Sequence, residues 1–456
     1  MSSRTIVRSM RRGLNALLVV ALCVSQVSVI WAGNFRNGAV GGVSINVDGV
    51  VRNAEVSQRE AMAKRLRDEF NQPNGDINKA VQIRKVSLKK LEAACQHYLA
   101  ENNGQLPDEV KYLGGLLRIQ YVLVYPEQND IVLAGPAEGW KVDAEGNVVG
   151  ITTGQPVIQL DDLLIALRSV RSARNGGISC SIDPTQEGYQ KLTTLLKNQR
   201  RPNVNIGALE TKMKEAFGPQ QIKLDGVPTT SHMARVLVAA DYRMKRLAMN
   251  LDKSPINGMP SYIEMIQNSG KQAANVNPRW WLACNYEPLA KTDDNLAWEL
   301  RGQGVKALTE DDVIGDDGAV KRTGKANATA QKWANTMTEK YEELAATEPI
   351  FAELRNVMDL CVVAAVIDEH ELMHKAGCSL PLLSGDQSDL VTFSWYTPRT
   401  VPPQCSFLRT RAGWVVTASG GVQIASFQVA NEFQVDNTVK QIRDQATGSQ
   451  DAWWWN

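Results

Sequence analysis

The sequence contains one pattern that could carry hydrolytic chemistry, the run HELMH at residues 370–374. Histidines four residues apart lie on the same face of a helix, so both imidazoles can bind one zinc ion. The glutamate after the first histidine can take a proton from a zinc-bound water, which is general-base catalysis of peptide hydrolysis. The pattern predicts His370 and His374 as metal ligands and Glu371 as the catalytic base.

A catalytic zinc ion needs a third protein ligand, and the sequence offers none at a usual spacing. Leu380 stands where one class of zinc peptidase has its third histidine, and the only later glutamate, Glu432, is distant in sequence. Asp386 and Asp389 are the nearest substitutes. The alternative interpretation is structural, because His and Lys favour helix C-termini and Gly377 is a typical residue to end a helix.

The elements that must position this motif are predicted from hydrophobic periodicity. The expected fold class is α+β, with a mixed α/β N-terminal region, a helical middle with a long helical hairpin, and a C-terminal β-hairpin. The motif lies on the second helix of the helical hairpin, expected at 327–347 and 349–376. Shorter patterns predict hairpins at 38–53, 116–136, 139–151 and 413–427, strands at 178–182 and 237–240, a helix at 160–173 and an acidic loop at 309–318.

The chain of 456 residues, 43% of them hydrophobic, has the composition of a folded protein with two to four domains. We expect a signal peptide at the N-terminus, three structural regions and a polar tail that ends in tryptophans. The predicted boundaries are 1–32 for the signal peptide, 33–184 for an α+β domain, 185–325 for a mixed helical and β region, 326–445 for the helical hairpin with a C-terminal β part, and 446–456 for the tail.

Residues 1–32 have the composition of an export signal. Arg4, Arg8, Arg11 and Arg12 precede an apolar run, and Ala32 is a small residue at the expected cleavage site. The alternative is an uncleaved anchor helix, since the apolar stretch approaches the roughly 20 residues that span a bilayer. Both interpretations predict a secreted, periplasmic or cell-envelope location, and only the second includes a membrane span.

Charge and cysteine content limit the classes of partner. The net charge is +1, and removal of the signal would bring it to about −3, which favours neither nucleic acid nor an anionic membrane as partner. The expected partner is therefore an unknown protein or an envelope component. The six cysteines after the signal include no C-x-x-C, so structural zinc held by thiolates is not expected. Disulfides are permitted outside the cytoplasm, and Cys378 with Cys405 is the candidate pair for one that closes a loop.

Three tryptophans, Trp453 to Trp455, stand at the end of a polar segment, where such large aromatic side chains are costly to expose. One interpretation is a docking anchor for a partner, an envelope component or a carbohydrate surface. The other is that the segment packs on its own domain or is a frayed end.

Much of the mature chain resembles a family of secreted proteins of planctomycete bacteria, catalogued as a domain of unknown function. The segments that carry the resemblance are YLGGLLRIQYVLVYPEQNDIVLAGPAEGW (112–140), ISCSIDPTQEG (178–188), VLVAADYRMKRLAM (236–249), LAWELRGQGVKALTEDD (296–312) and KWANTMTEKYEEL (332–344). The resemblance implies a secreted or envelope location and assigns no activity, ligand or catalytic residue.

Taken together, these features favour an exported, non-catalytic protein with an interaction or structural role in the envelope or outside the cell. No cofactor is expected for such a protein. The alternative is a divergent zinc-dependent hydrolase that uses the 370–374 motif.

Overall fold

The computed structural model describes eight segments of the chain, together with Pro73, Leu390 and short strands between residues 35 and 53. The segments are 75–101, 105–144, 146–198, 206–269, 277–385, 392–410, 413–446 and 452–456. The predicted signal peptide, Asp386 and Asp389 lie outside the described residues. Residues Arg36–Asn456 form one compact unit.

The helices in the described segments range from single turns of four residues to one helix of 21 residues. They are α1 (Leu88–Glu101), α2 (Asp108–Lys111), α3 (Leu160–Arg174), α4 (Gln186–Asn198), α5 (Ile206–Phe217), α6 (His232–Ala248), α7 (Tyr262–Ser269), α8 (Ala328–Glu339), α9 (Tyr341–Thr347), α10 (Pro349–Glu369), α11 (Leu372–Ala376), α12 (Pro381–Ser384), α13 (Ser426–Asn431) and α14 (Val439–Gln445).

The strands are mostly short, and the longest is β15. They are β1 (Phe35–Arg36), β2 (Ala39–Val40), β3 (Val43–Ile45), β4 (Val51–Asn53), β5 (Val81–Ser87), β6 (Tyr121–Tyr125), β7 (Asp130–Ala137), β8 (Trp140–Val142), β9 (Val148–Gly150), β10 (Ile178–Asp183), β11 (Gln220–Asp225), β12 (Asn277–Asn285), β13 (Leu289–Lys291), β14 (Ala297–Glu299), β15 (Gly304–Ile314), β16 (Val320–Arg322), β17 (Ser394–Trp395), β18 (Thr400–Val401), β19 (Ser406–Arg409), β20 (Trp414–Thr417), β21 (Gly420–Ile424), β22 (Phe433–Val435) and β23 (Trp454–Trp455).

Two seven-stranded mixed sheets organise the fold, and one of them curls into a half-barrel. The first sheet has the order β16-β15-β12-β21-β10-β11-β18, and the second has the order β22-β13-β14-β6-β7-β5-β23. Each sheet contains one parallel pair, β12 with β21 and β13 with β22. Helices and strands therefore mix as predicted. Each sheet combines strands from distant parts of the sequence. The predicted domain boundaries are not tested by this arrangement and stay a prediction.

A buried helix, α10, occupies the centre of the helical part. Its residues from Ile350 to Ile367 are all buried, which fits a helix that is apolar on nearly every side. It packs against α3, α6, α9 and α13. No helix in the described part of the chain is both long and apolar enough to cross a membrane.

Several local predictions are confirmed. The alternating patterns at 116–136 and 139–151 form the antiparallel pairs β6–β7 and β8–β9, and the pattern at 38–53 forms the pair β3–β4. The predicted helix at 160–173 is α3, and the predicted strand at 178–182 is β10. In each of these segments the apolar period and the turn residues indicate the same element.

Other local predictions are wrong. Residues 237–240 lie inside α6, where they read as a strand only because every side of the helix is buried at that point. The acidic loop expected at 309–318 is mostly strand β15, which pairs along its length with β12. The hairpin expected at 413–427 does form two strands, but β20 pairs with β19 while β21 inserts between β12 and β10. The helix expected at 327–347 is divided into α8 and α9.

The tryptophan segment packs on the chain's own structure. Strand β23 lies at the edge of the second sheet, antiparallel to β5, with Trp454 opposite Val86 and Trp455 opposite Lys85. All three tryptophans are half-buried. Of the two interpretations of this segment, the structure shows packing on its own domain.

Candidate functional site

The HELMH motif lies at a break between two helices. Helix α10 ends at Glu369, His370 is its C-cap, and α11 begins at Leu372. Between them, Glu371 has a φ of 52°, in the left-handed region that residues with a Cβ seldom adopt. The continuous helix predicted over 349–376 is therefore wrong, and the i, i+4 face that the two histidines would share is lost with it.

Aromatic neighbours and a backbone carbonyl fix the ring of His370. The ring stacks on Trp298 with centroids 4.3 Å apart, and Phe433 meets it edge-on at 5.6 Å. Its Nε2 lies 3.0 Å from the carbonyl oxygen of Ala430. Because a carbonyl oxygen only accepts hydrogen bonds, Nε2 carries the proton and donates it. Burial lowers the pKa of His370, so this ring is neutral at pH 7.

Glu371 and His374 line a cleft of about 810 Å³ that opens between α3 on one side and α10, α11 and α12 on the other. His370 is absent from its wall. The break at Glu371 thus divides the motif. The imidazole of His370 is packed against aromatic rings, whereas the side chains of Glu371 and His374 both face the cleft. The polar residues that line the cleft are Arg168, Arg171, Ser172, Asp368, Glu371, His374 and Ser384.

Two of the charged side chains in the cleft are engaged by the fold. Asp368 accepts a hydrogen bond from Arg174 at 2.7 Å. Arg168 donates to the carbonyl oxygens of Leu382 at 2.9 Å and Leu383 at 3.2 Å, and so holds α12 against α3. These hydrogen bonds hold together the helices that form the walls of the cleft.

Three other charged or ionisable side chains of the cleft are available to a ligand. Within the described part of the chain, the side chains of Arg171, Glu371 and His374 make no hydrogen bond or ion pair. All three are exposed at the opening. The cleft can therefore offer a carboxylate, a guanidinium and an imidazole to one bound molecule.

A complete metal site is not formed by the residues that the structure describes. Among them, no group of three His, Cys, Asp or Glu side chains could hold a metal ion. Glu432 is exposed and accepts a hydrogen bond from Gln428. Any third ligand would have to come from undescribed positions such as Asp386 or Asp389, so zinc binding at the motif stays a prediction.

A second group of ionisable side chains is buried where α3, α6 and α10 meet. Nδ1 of His232 lies 2.9 Å from Oδ2 of Asp162, and Glu353 is the third member of this buried cluster. The ring of Trp395 covers the imidazole, with centroids 4.8 Å apart. Burial raises the pKa of Glu353 to about 7. Burial alone would lower the pKa of His232, but the neighbouring carboxylate of Asp162 raises it.

Sequence reasoning missed this buried cluster. The only available signal was the presence of single polar residues in otherwise apolar helical stretches, such as Glu353 in α10 and Asp162 in α3. That signal does not reveal that the three helices meet. The remaining histidine, His97, lies on the surface 3.1 Å from Glu101.

The cysteines that the structure describes form neither a nucleophile nor a disulfide. All six described cysteines are free thiols, and burial raises the pKa of each one, to about 11 for Cys378 and about 12 for Cys405. The predicted disulfide between these two residues is wrong, because they are buried in separate hydrophobic clusters. Nucleophilic or metal-binding thiolates need a lowered pKa.

Comparison with known proteins gives one match. Residues 180–262 match the sequence model of a family described as "Protein of unknown function (DUF1598)". This stretch contains β10, α4, α5, β11 and α6, and it supports the predicted resemblance to a domain of unknown function. No curated protein and no solved structure is significantly similar to the chain. All the residues that line the cleft lie outside the matched region.

Proposed function

We propose that this chain is an exported, non-catalytic protein of the cell envelope or the extracellular space, and that it acts by binding a partner in the cleft beside α11. The observation that supports this role is the set of three unpaired side chains, Arg171, Glu371 and His374, in a cleft large enough for a small molecule or a few peptide residues. The arginine-rich segment 1–32 supports export.

The strained backbone of Glu371 supports a binding role for its side chain. A left-handed residue with a Cβ costs roughly 1–2 kcal/mol, and such residues cluster at functional sites. The carboxylate of Glu371 and the imidazole of His374 line the same cleft. Because Glu371 is acidic, a ligand that pairs with it would carry a cationic group at this point.

The class of ligand follows from the opposite charges of Glu371 and Arg171 in the cleft. A carboxylate and a guanidinium at one opening are complementary to a zwitterion, such as a peptide end or an amino-acid derivative with both charges. We therefore propose a zwitterionic, peptide-like partner, either free or as part of an envelope component. Neither nucleic acid nor an anionic membrane surface is proposed as a partner.

Calorimetric titration of the full-length protein with trialanine tests this binding role. The control ligand is N-acetyl-trialanine amide, which has the same backbone but no terminal charges. We expect binding of the charged tripeptide only, and about two- to fivefold weaker binding for Glu371→Gln and for Arg171→Gln. The control variant is Glu187→Gln, an exposed carboxylate outside the cleft. Equal heats from both ligands, or no effect of the two cleft variants, would refute this role.

The N-terminal sequence of the protein recovered from culture fractions tests export. We expect a mature chain that begins near Gly33, in the periplasm or the medium. A chain that retains Met1 and sediments with membranes would show the uncleaved anchor instead.

A second candidate function is the zinc-dependent hydrolase. It is favoured by one observation, the shared position of Glu371 and His374 in the wall of the same cleft. The test is the zinc content of the purified full-length protein, with His370→Ala and His374→Ala as controls. About one zinc ion per chain, lost in both variants, would support this candidate and call for peptidase assays, whereas the absence of stoichiometric zinc would rule it out. We expect no stoichiometric zinc.

A further inference from the structure

The groove along the outer edge of β5 holds the segment 453–456 as an extended strand. Strand β23 runs antiparallel to β5, and the amide of Ser87 donates to the carbonyl oxygen of Trp453 at 2.9 Å. This is the geometry by which sheets bind extended peptides, with backbone hydrogen bonds for affinity and side-chain pockets for specificity. Here the chain supplies its own peptide.

Cationic side chains of the groove contact the aromatic rings of this segment. The guanidinium of Arg84 lies 5.1 Å from the ring of Trp454, and the ammonium of Lys90 lies 5.6 Å from the ring of Trp455. The indole nitrogen of Trp455 donates to the carbonyl oxygen of Ala446 at 3.0 Å. The groove therefore recognises aromatic side chains at two consecutive positions of the strand.

Arg84 is fully buried at the end of this groove and binds neutral acceptors. Its guanidinium donates to the carbonyl oxygens of Ile77 and Lys79, each at 2.9 Å, and also to that of Gly114. Its Nε donates to the side-chain oxygen of Asn456 at 2.8 Å. No carboxylate in the described part of the chain pairs with it, and burial lowers its pKa to about 10.

A buried guanidinium that has no carboxylate partner is unusual, because a buried charge is costly unless it is paired. Of its acceptors, four belong to the backbone, and only Asn456 is a side chain that another residue could replace. A carboxylate in this position would form a charge-assisted hydrogen bond, about twice as strong as a neutral one. The amide of Asn456 also donates to the carbonyl oxygen of Asp76 at 3.4 Å, a long bond that a carboxylate would give up.

We propose that the β5 edge is a peptide-binding groove whose preferred ligand is an extended aromatic segment of a partner protein with a carboxylate at the position of Asn456. The segment 453–456 of this chain occupies the groove and competes with that ligand. The inference deepens the proposed binding role and rests on it, but the groove contains none of the cleft residues. The two sites can therefore be tested separately.

Thermal unfolding of full-length variants gives the first test. We expect Asn456→Asp to raise the melting temperature and Asn456→Ala to lower it, because only the first variant pairs with Arg84. The rise should vanish when Asn456→Asp is combined with Arg84→Gln. A melting temperature for Asn456→Asp at or below that of the wild type overturns the proposal.

Peptide binding to the full-length chain gives the second test and does not depend on a variant of Arg84. Fluorescein-labelled DAWWWN and DAWWWD are titrated by fluorescence anisotropy against the wild type and against Trp454→Ala, in which the competing strand is weakened. We expect about fivefold tighter binding of DAWWWD to the variant, and weaker binding of both peptides to the wild type. Equal affinities for the two peptides, or no binding to Trp454→Ala, overturn the proposal. The control variant Glu187→Gln, outside both the cleft and the groove, should bind both peptides like the wild type.

Discussion

The Nδ1 atom of His232 lies 2.9 Å from Oδ2 of Asp162, and both side chains are more than nine-tenths buried. The pair joins α6 to α3, and Glu353 on α10 completes a cluster that connects the three central helices. The hydrogen bond between His232 and Asp162 holds α6 against α3, because these two buried groups meet only in this arrangement of the helices.

Replacement of Asp162 by asparagine should therefore destabilise the protein. The free energy of unfolding is expected to fall by about 3 kcal/mol, because the variant leaves a buried imidazole without its charged partner. Urea denaturation at pH 7, followed by tryptophan fluorescence, measures the change. Glu187→Gln removes an exposed carboxylate and should have little effect. If Asp162→Asn lowers the free energy of unfolding as little as Glu187→Gln does, the buried pair does not contribute to stability.

Stability should fall as the pH rises from 5 to 8. Burial raises the pKa of Glu353 to about 7, and that of Asp241 and of Asp312 to about 6. Each of these groups holds its proton more tightly in the folded than in the unfolded state, so its stabilising effect is complete below about pH 4 and is lost as the pH passes through 6 to 7. Glu353 alone accounts for about 3 kcal/mol of this change.

Melting temperatures measured at pH 5, 6, 7 and 8 test this prediction. In Glu353→Gln the decrease with pH should be visibly smaller, because the glutamine does not ionise. Stability that rises over this range, or a Glu353→Gln variant with an unchanged slope, would contradict the assignment.

Replacement of Glu371 by glycine should stabilise the protein while it removes the carboxylate from the cleft. Glycine adopts the left-handed conformation without strain, and the gain is expected to be about 0.5–1 kcal/mol after its larger unfolded-state entropy is counted. Chemical denaturation measures the gain. Gly377→Ala is a control in the opposite direction, because Gly377 has a φ of 62° and the added Cβ would meet the side chain of Asn129.

The six described thiols should react slowly in the native protein. Their burial raises the pKa of every one, so little thiolate is present at pH 8. In a chain that begins at Gly33, and so lacks Cys23, titration with Ellman's reagent should show almost no fast-reacting thiol before denaturation and all six afterwards. Electrophoretic mobility should be the same with and without reductant. A reductant-dependent shift would indicate a disulfide that the structure does not contain.

The sequence predicted those helices and strands whose conformation is determined by local residue patterns. The alternation in β6 and β7, and the apolar face of α3, are visible within a few residues and are found in the structure. The break in the motif is different, because HELMH itself reads as continuous helix. The contacts of His370 with Trp298 and with Ala430 come from other parts of the chain, the second of them 60 residues away.

The sequence also could not predict which strands pair with each other in the sheets. The pattern at 413–427 correctly predicted two strands, yet β21 pairs with β10 and β12 rather than with its neighbour β20. Adjacent strands usually pair, and nothing in the local sequence indicates that this pair separates. For the candidate site, sequence reasoning identified Glu371 and His374, but it could not identify Arg171, which joins them only through the packing of α3.

The contact between Arg84 and Asn456 has a consequence for biosynthesis, since it joins residues 372 positions apart. At translation speeds of 5–20 residues per second, the β5 edge is made roughly 20 to 75 s before the strand that covers it. During that interval the nascent chain presents an open sheet edge, to which a chaperone can bind.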